Sequence, residues 1–276
     1  VLYLRGKGNR NRRFQSFTME HTEGYTYSVS IDAGKFPEGW YEYAITVKTN
    51  ESLITFPSAI KGSPAVWGFT GKKFWKAKIV NPQTPMLLLN PEKEINKLAF
   101  TRIGDNIRFG IFEMKPSDAD GRAVYRMYFP VSFDRSLDDY TISLYVKDRI
   151  DSRNTTIQKA KSLKINARGS TNQVEAFITL VEADGTSWSK KIGLSKNWED
   201  IIVPVDELNL SRGVKLPQGF PQRWNYWIEP AEGRGGPDDP IQMDKVERLQ
   251  ISLRPSGDDV PETNPWIEIG AVVLIF

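Results

Sequence analysis

The chain reads as all-β, built from two antiparallel β-sandwiches. Three observations predict this. Apolar and polar side chains alternate with a period of two through most apolar stretches, as in half-buried strands. Gly, Pro, Asn and Asp interrupt those stretches at short intervals, as turns require. No useful length of sequence carries the 3.6-residue period of an amphipathic helix.

The pattern is cleanest in the middle of the chain. Residues 161–168 put Leu163, Ile165 and Ala167 on one face and Lys164, Asn166 and Arg168 on the other. Residues 173–181 align Val174, Ala176, Ile178 and Leu180, and Glu182-Ala183-Asp184-Gly185 is a hairpin turn into residues 186–194. A further strand follows Trp198 through Ile201, Val203 and Val205, with Trp198 read as its core anchor.

At 276 residues there is room for two ordinary domains. Short strands fill the first part, with Tyr41, Tyr43, Ile45 and Val47 expected inward and Glu42 and Thr46 outward. Asn90, Pro91 and the charges after them resemble a linker, so the boundary is placed near residue 95, giving domains 1–95 and 96–276. In the second, Ala123, Tyr125, Met127 and Phe129 alternate with Arg122, Val124, Arg126 and Tyr128. Ile142, Leu144 and Val146 alternate with Thr141, Ser143 and Tyr145. Residues 266–275 are apolar on both faces and should form a central strand. Residues 208–242 form a long connection rich in Pro and Gly, of the kind that is usually functional or disordered.

Composition excludes several classes. There is no cysteine, and the single histidine, His21, rules out a multi-histidine metal site and leaves little for triad chemistry. A net charge of +3 does not by itself point to nucleic acid, and no apolar run approaches a membrane span. The charge is uneven, however: residues 1–96 hold 13 basic against 8 acidic side chains, and the remainder 24 against 26. Val1 does not begin a translated chain, so the sequence is expected to be a processed or excised piece of something longer. Asp118, Asp120 and Gly121 start like a calcium loop but lack its remaining ligand spacing. No cofactor is therefore assigned, and a structural calcium ion is left open.

Two resemblances follow from these residues. Gly39-Trp40-Tyr41-Glu42-Tyr43, Thr55-Phe56-Pro57, Gly62-Ser63-Pro64 and Trp67 resemble the small Ig-like sandwich that accompanies polysaccharide-degrading enzymes of marine and gut Bacteroidetes. Leu163-Lys164-Ile165, Asp184-Gly185, Trp198, Val203-Pro204, Leu208, Leu216-Pro217 and Ile267-Glu268-Ile269-Gly270 resemble carbohydrate-binding modules of the galactose-binding-like jelly-roll superfamily. Together they imply a non-catalytic region that targets a secreted bacterial enzyme to a polysaccharide, with a catalytic module in the parent chain.

Sugar binding wants aromatic ring faces beside hydrogen-bonding groups. Alternation places Arg122, Arg126, Tyr128, Tyr145, Asn166 and Arg168 on the non-core face, and Trp188, in a polar strand, is read as exposed too. Arginines beside aromatics suit a sulfated galactan or uronic-acid polymer, because the guanidinium fork matches such anions. Trp224, Tyr226 and Trp227 in the long connection are the alternative site. Catalysis is not expected. The paired aspartates at 138–139, 238–239 and 258–259 sit in turns, and the Glu-x-Asp-x-x-Glu strand motif of jelly-roll glucanases is absent. The alternatives are accessory domains of a glycoside hydrolase that bind no sugar, or a polysaccharide hydrolase or lyase.

Overall fold

The computed structural model describes residues 1–7, 13–94, 98–103, 112–116, 123–128, 139–171, 174–211, 213–215, 225–227, 239–253 and 266–276. The chain is all-β and divides into two units, Val1–Pro82 and Gln83–Phe276.

In the first unit, β1 (Leu2–Gly6), β2 (Gln15–Phe17), β5 (Gly39–Lys48), β6 (Leu53–Phe56) and β7 (Ile60–Lys61) form a sheet in the order β2-β1-β5-β6-β7. A further strand, β8 (Trp75–Ile79), pairs with residues 39–43 of β5, and β3 (Glu20–Glu23) with β4 (Thr26–Ser28) makes a separate hairpin. The ten residues of β5 are long enough to hold β1 on one edge and β8 and then β6 on the other. Its buried positions are Tyr41, Ala44 and Thr46, whereas Val47 is 45% exposed, so the inward and outward faces expected for residues 45–47 are exchanged. The cause is a hydroxyl pair. Thr55 Oγ1 donates to the Gly62 carbonyl at 2.6 Å and lies 2.7 Å from Thr46 Oγ1, so both buried hydroxyls are satisfied.

The second unit is a sandwich of two antiparallel sheets. One has the order β10 (Leu98–Ile103), β13 (Asp139–Tyr145), β21 (Val246–Leu253), β15 (Val174–Glu182), β16 (Ser187–Leu194) and β18 (Asn209–Leu210). The other runs β11 (Phe112–Pro116), β12 (Ala123–Tyr128), β22 (Trp266–Ile275), β14 (Ser162–Gly169) and β17 (Glu199–Pro204), with β9 (Met86–Leu89) also on β22. Between the sheets, Leu163, Ile165, Ala167, Ala176, Ile178, Leu180, Leu249, Ile251, Ile267 and Ile269 are essentially inaccessible. Each strand contributes alternate residues to this core, as a two-residue period demands.

The double-sided apolarity of β22 has the expected cause: it is the central strand of its sheet. One edge takes β12 along residues 266–269 and β9 along residues 272–274, and the other takes β14. That pairing also places the division after Pro82, where the sequence reading puts it near residue 95. Residues 83–94 are tied to the second unit by β9, by Arg153 Nη2 donating to the Thr84 carbonyl at 2.8 Å, and by the Glu94 carboxylate on Arg149. The turn after β15 is as read: Gly185 sits at φ +94°, a left-handed position suited to glycine, and the Thr186 N–H is held by Asp184 Oδ1 at 2.9 Å. Among the described residues no helix is long and apolar enough to cross a membrane.

Candidate functional site

The candidate functional face is the side of the β11-β12-β22-β14-β17 sheet that points away from the core. Ile267 and Ile269 of β22 point inward, which turns Trp266, Glu268 and Gly270 outward. Glu268 has Arg126 as its cross-strand partner on β12 and Arg168 as its partner on β14. Three adjacent strands therefore line up an Arg–Glu–Arg row. The Glu268 carboxylate is 1% exposed and accepts from Arg126 Nε at 2.7 Å, from Arg126 Nη2, and from Arg168 Nε at 2.5 Å. Two guanidiniums thus share one buried carboxylate, and the register sets Glu113 of β11 opposite Arg126 on its other edge.

Indole rings interleave with these guanidiniums. Arg126 Cζ lies 4.5 Å from the Trp266 ring centroid and Arg168 Cζ 5.7 Å from it, while Arg168 Cζ also lies 5.0 Å from the Trp198 ring. Such contacts hold both partners in place. Beyond Trp198, Asp200 of β17 faces Asn166 of β14. Asp200 Oδ1 accepts from Asn166 Nδ2 at 3.0 Å and Asp200 Oδ2 from Lys164 Nζ at 3.2 Å.

Beside this polar group the sheet bulges. The register passes from Ile165 opposite Val272 to Ala167 opposite Ile269, so β22 carries one extra residue at Gly270 and Ala271. A Cβ on Gly270 would lie 2.8 Å from Asn166 Oδ1, so the backbone can approach Asn166 only because the residue is glycine. The small side chains here leave a hollow of about 310 Å³. Gly270, Ala271 and Val273 floor it; Lys164, Asn166, Trp198 and Asp200 wall one side, and Asn90–Glu92 with Ala123 and Val124 the other. The Trp198 Nε1–H is shielded and has no hydrogen-bond partner among the described residues. An aromatic wall, an acceptor, two donors and a hollow of this volume can hold a small polar ring.

No family model and no curated protein matches the chain. Among solved structures, similarity is found to a family 11 carbohydrate-binding module from Clostridium thermocellum in complex with a β-1,3-1,4-mixed-linked tetrasaccharide. Identity is 9% and the TM-score 0.42, covering 69% of this chain and 95% of that one. An exo-β-agarase is also similar, at 9% identity and TM-score 0.39, over 68% of this chain and 25% of the agarase. At these values the similarity says nothing about a ligand.

Of the residues singled out in the sequence, Arg126, Arg168 and Asn166 do meet on this face. Tyr128 stands opposite Trp266 in the β12–β22 register, and its side chain lies outside the described residues. Tyr145 belongs to the other sheet: it is 46% exposed on that sheet's outer side, with Arg248 Cζ 5.5 Å from its ring, and the whole core separates it from Arg126. Trp188 does not lie on this face. It is 5% exposed, because its cross-strand partner is the inward Leu180, and its indole N–H donates to the buried Glu182 Oε1 at 2.9 Å. Its serine neighbours, whose polarity suggests an exposed strand, lie on the opposite face and are themselves buried.

Arg122 and Trp224 lie outside the described residues, as does the Asp118–Gly121 turn. Tyr226 and Trp227 fall in a short strand, β20 (Asn225–Trp227), paired with β19 (Gly213–Lys215), within the stretch read as an unpatterned connection; their side chains are not among those described. Conversely, Trp198 stands on the outer face instead of in the core, and Trp266 was not singled out at all. A signal for Trp266 was available: Glu268, two residues on, is the one acidic residue in an otherwise apolar strand. Among the described residues no group of three or more His, Cys, Asp or Glu side chains could hold a metal ion.

Proposed function

We propose that the second unit is a non-catalytic carbohydrate-binding module whose ligand lies across the outer face of the β12-β22-β14-β17 strands. The observation that carries this reading is the hollow beside Trp198. It has an indole wall and, at its rim, Asp200, Asn166 and Lys164, the acceptor and donors a sugar's hydroxyls need. Trp198 stacks on a C–H-rich sugar face, Asp200 accepts from a hydroxyl, and Asn166 and Lys164 donate. The polymer is an anionic polysaccharide, a sulfated galactan or uronic-acid chain, the class that arginines beside aromatic rings suit. The parent is a secreted bacterial enzyme that this region targets to its substrate, and the first unit is its Ig-like accessory sandwich.

A second reading has its own observation. Both arginines are engaged with Glu268 and with indole rings, an arrangement that would serve equally to brace the sheet of an accessory domain that binds no sugar. Affinity electrophoresis through gels containing a panel of plant and marine polysaccharides separates the two. Retardation that Trp198→Ala abolishes supports binding at this face. Free migration in every gel supports the bracing role.

A further inference from the structure

The positive charge of the chain is concentrated in the first unit. Residues 1–82 hold 12 Lys and Arg against 6 Asp and Glu, whereas residues 83–276 hold 25 against 28. In the first unit, Lys72, Lys73, Lys76 and Lys78 cluster in and just before β8, all exposed, and none forms an ion pair among the described residues. Alternation sends Lys76 and Lys78 to one side of the strand, about 7 Å apart at ~3.4 Å per residue. Across the ladder, Lys78 faces Trp40 and Lys76 faces Glu42.

These two partners differ in a way that matters. Glu42 is already engaged, accepting from Arg5 Nε at 3.0 Å and Nη2 at 2.8 Å, so it does not cancel Lys76. Trp40 is 53% exposed, with Lys78 Nζ 6.0 Å from its ring centroid. The result is an open indole flanked by two uncompensated ammonium groups. An ammonium acts as a strongly hydrated point charge that meets an anion without demanding a fixed fork geometry. The arginines of the second unit, by contrast, are already hydrogen-bonded to a carboxylate.

We propose that Trp40, Lys76 and Lys78 form a second glycan-contact surface, on the first unit, which takes the sulfate or carboxylate groups of an anionic polysaccharide. The inference rests on the glycan-binding reading for the class of polymer, and moves most of the charge selectivity from the arginine face to this strip. Lysines on a strand at the edge of a sheet also deter edge-to-edge association. That role alone predicts no effect on a ligand.

The test uses the whole chain, a sulfated galactan and the same polymer after desulfation. Affinity electrophoresis and titration calorimetry compare the wild type with K76Q/K78Q, K76R/K78R, Trp40→Ala and Trp198→Ala. Because the substituted lysines are exposed, melting temperature and far-UV circular dichroism should not change. Two exposed charge contacts are worth enough that K76Q/K78Q should bind the sulfated polymer roughly tenfold more weakly at low salt. Desulfated polymer should bind as before, and K76R/K78R should restore the loss. Raising salt from about 0.1 to 1 M, which shortens the screening length from about 10 to 3 Å, should erase the difference between wild type and K76Q/K78Q.

Wild-type affinity of K76Q/K78Q for the sulfated polymer overturns the proposal, as does failure of the wild type to bind that polymer. Equal binding of a single-stranded oligonucleotide, lost in the same variant, would replace it with a general polyanion surface. A lysine effect with no effect of Trp198→Ala retains this strip and removes the site on the second unit. A Trp198→Ala effect without a lysine effect does the reverse.

Discussion

Replacing Glu268 by Gln tests whether the Arg–Glu–Arg row organises the outer face. The substitution keeps the volume and removes the charge. It deprives Arg126 and Arg168 of their shared acceptor and leaves two like charges on either side of a neutral amide. Breaking a fully buried ion pair by removing one partner costs about 3–5 kcal/mol. Here the carboxylate is 1% exposed but the two arginine side chains are 15% and 18% exposed, so water recovers part of the loss. A cost of about 2–3 kcal/mol is expected, close to that of one or two hydrogen bonds to a charged group. For a unit of this size that lowers the melting temperature by roughly 4–12 °C. The assay is thermal and urea unfolding followed by tryptophan fluorescence, with the double variant E268Q/R126M as the cycle partner. Removing one arginine should return part of the stability, because two like charges no longer flank the neutral amide. A loss under about 0.5 kcal/mol, the range of ordinary surface substitutions, would refute the idea that this row braces the sheet.

Three further outcomes follow from the second unit. Trp188→Ala should destabilise it by about 3–5 kcal/mol, the cost of emptying a core aromatic site, with Glu182 losing a donor as well; glycan binding lost at unchanged stability would put Trp188 back on a surface. Gly270→Ala should cost about 1–3 kcal/mol, as overpacking does, because the new Cβ would press on Asn166 Oδ1; an unchanged melting temperature would show that the bulge yields freely. Burial pushes the Tyr125 hydroxyl up from 10.0 to about 12. The unfolded chain then loses that proton first, so the stability Tyr125 contributes is present below pH 10 and is lost between pH 10 and 12. The loss amounts to about 2–3 kcal/mol at most. Alkaline unfolding of wild type and Tyr125→Phe should diverge over that window, and parallel curves would contradict it.

The elements with strict alternation were legible because a half-buried strand leaves its imprint in the sequence. The hairpin of β15 and β16, the inward faces of β14 and β15, and the central place of β22 all follow from residue order alone. Parity gives a face relative to neighbours, but not which layer a strand joins. Tyr145 and Arg126 both point away from the core, yet they stand on opposite outer surfaces, because the sheet assignment of β13 and β12 is a matter of long-range pairing. Trp188 failed for a related reason. Ser187 and Ser189 are buried at 1% and 6%, so the polarity of a strand does not show that it is exposed. Thr46 likewise looks outward-facing until Thr55, nine residues away, supplies its partner. The hollow could not be read at all. It depends on the register shift that places Gly270 against Asn166, and on residues 90–92 closing one side.

The claim that the outer face of the second unit binds glycan is tested most directly by titrating wild type, Trp198→Ala and Asn166→Ala with whichever polysaccharide retards the wild type in affinity electrophoresis. The account predicts that Trp198→Ala weakens binding by about tenfold or more, which is about 1.4 kcal/mol or more. Asn166→Ala should weaken it less, and both variants should keep the wild-type circular dichroism spectrum. Equal affinity of all three proteins for a polysaccharide that the wild type does bind would contradict the account.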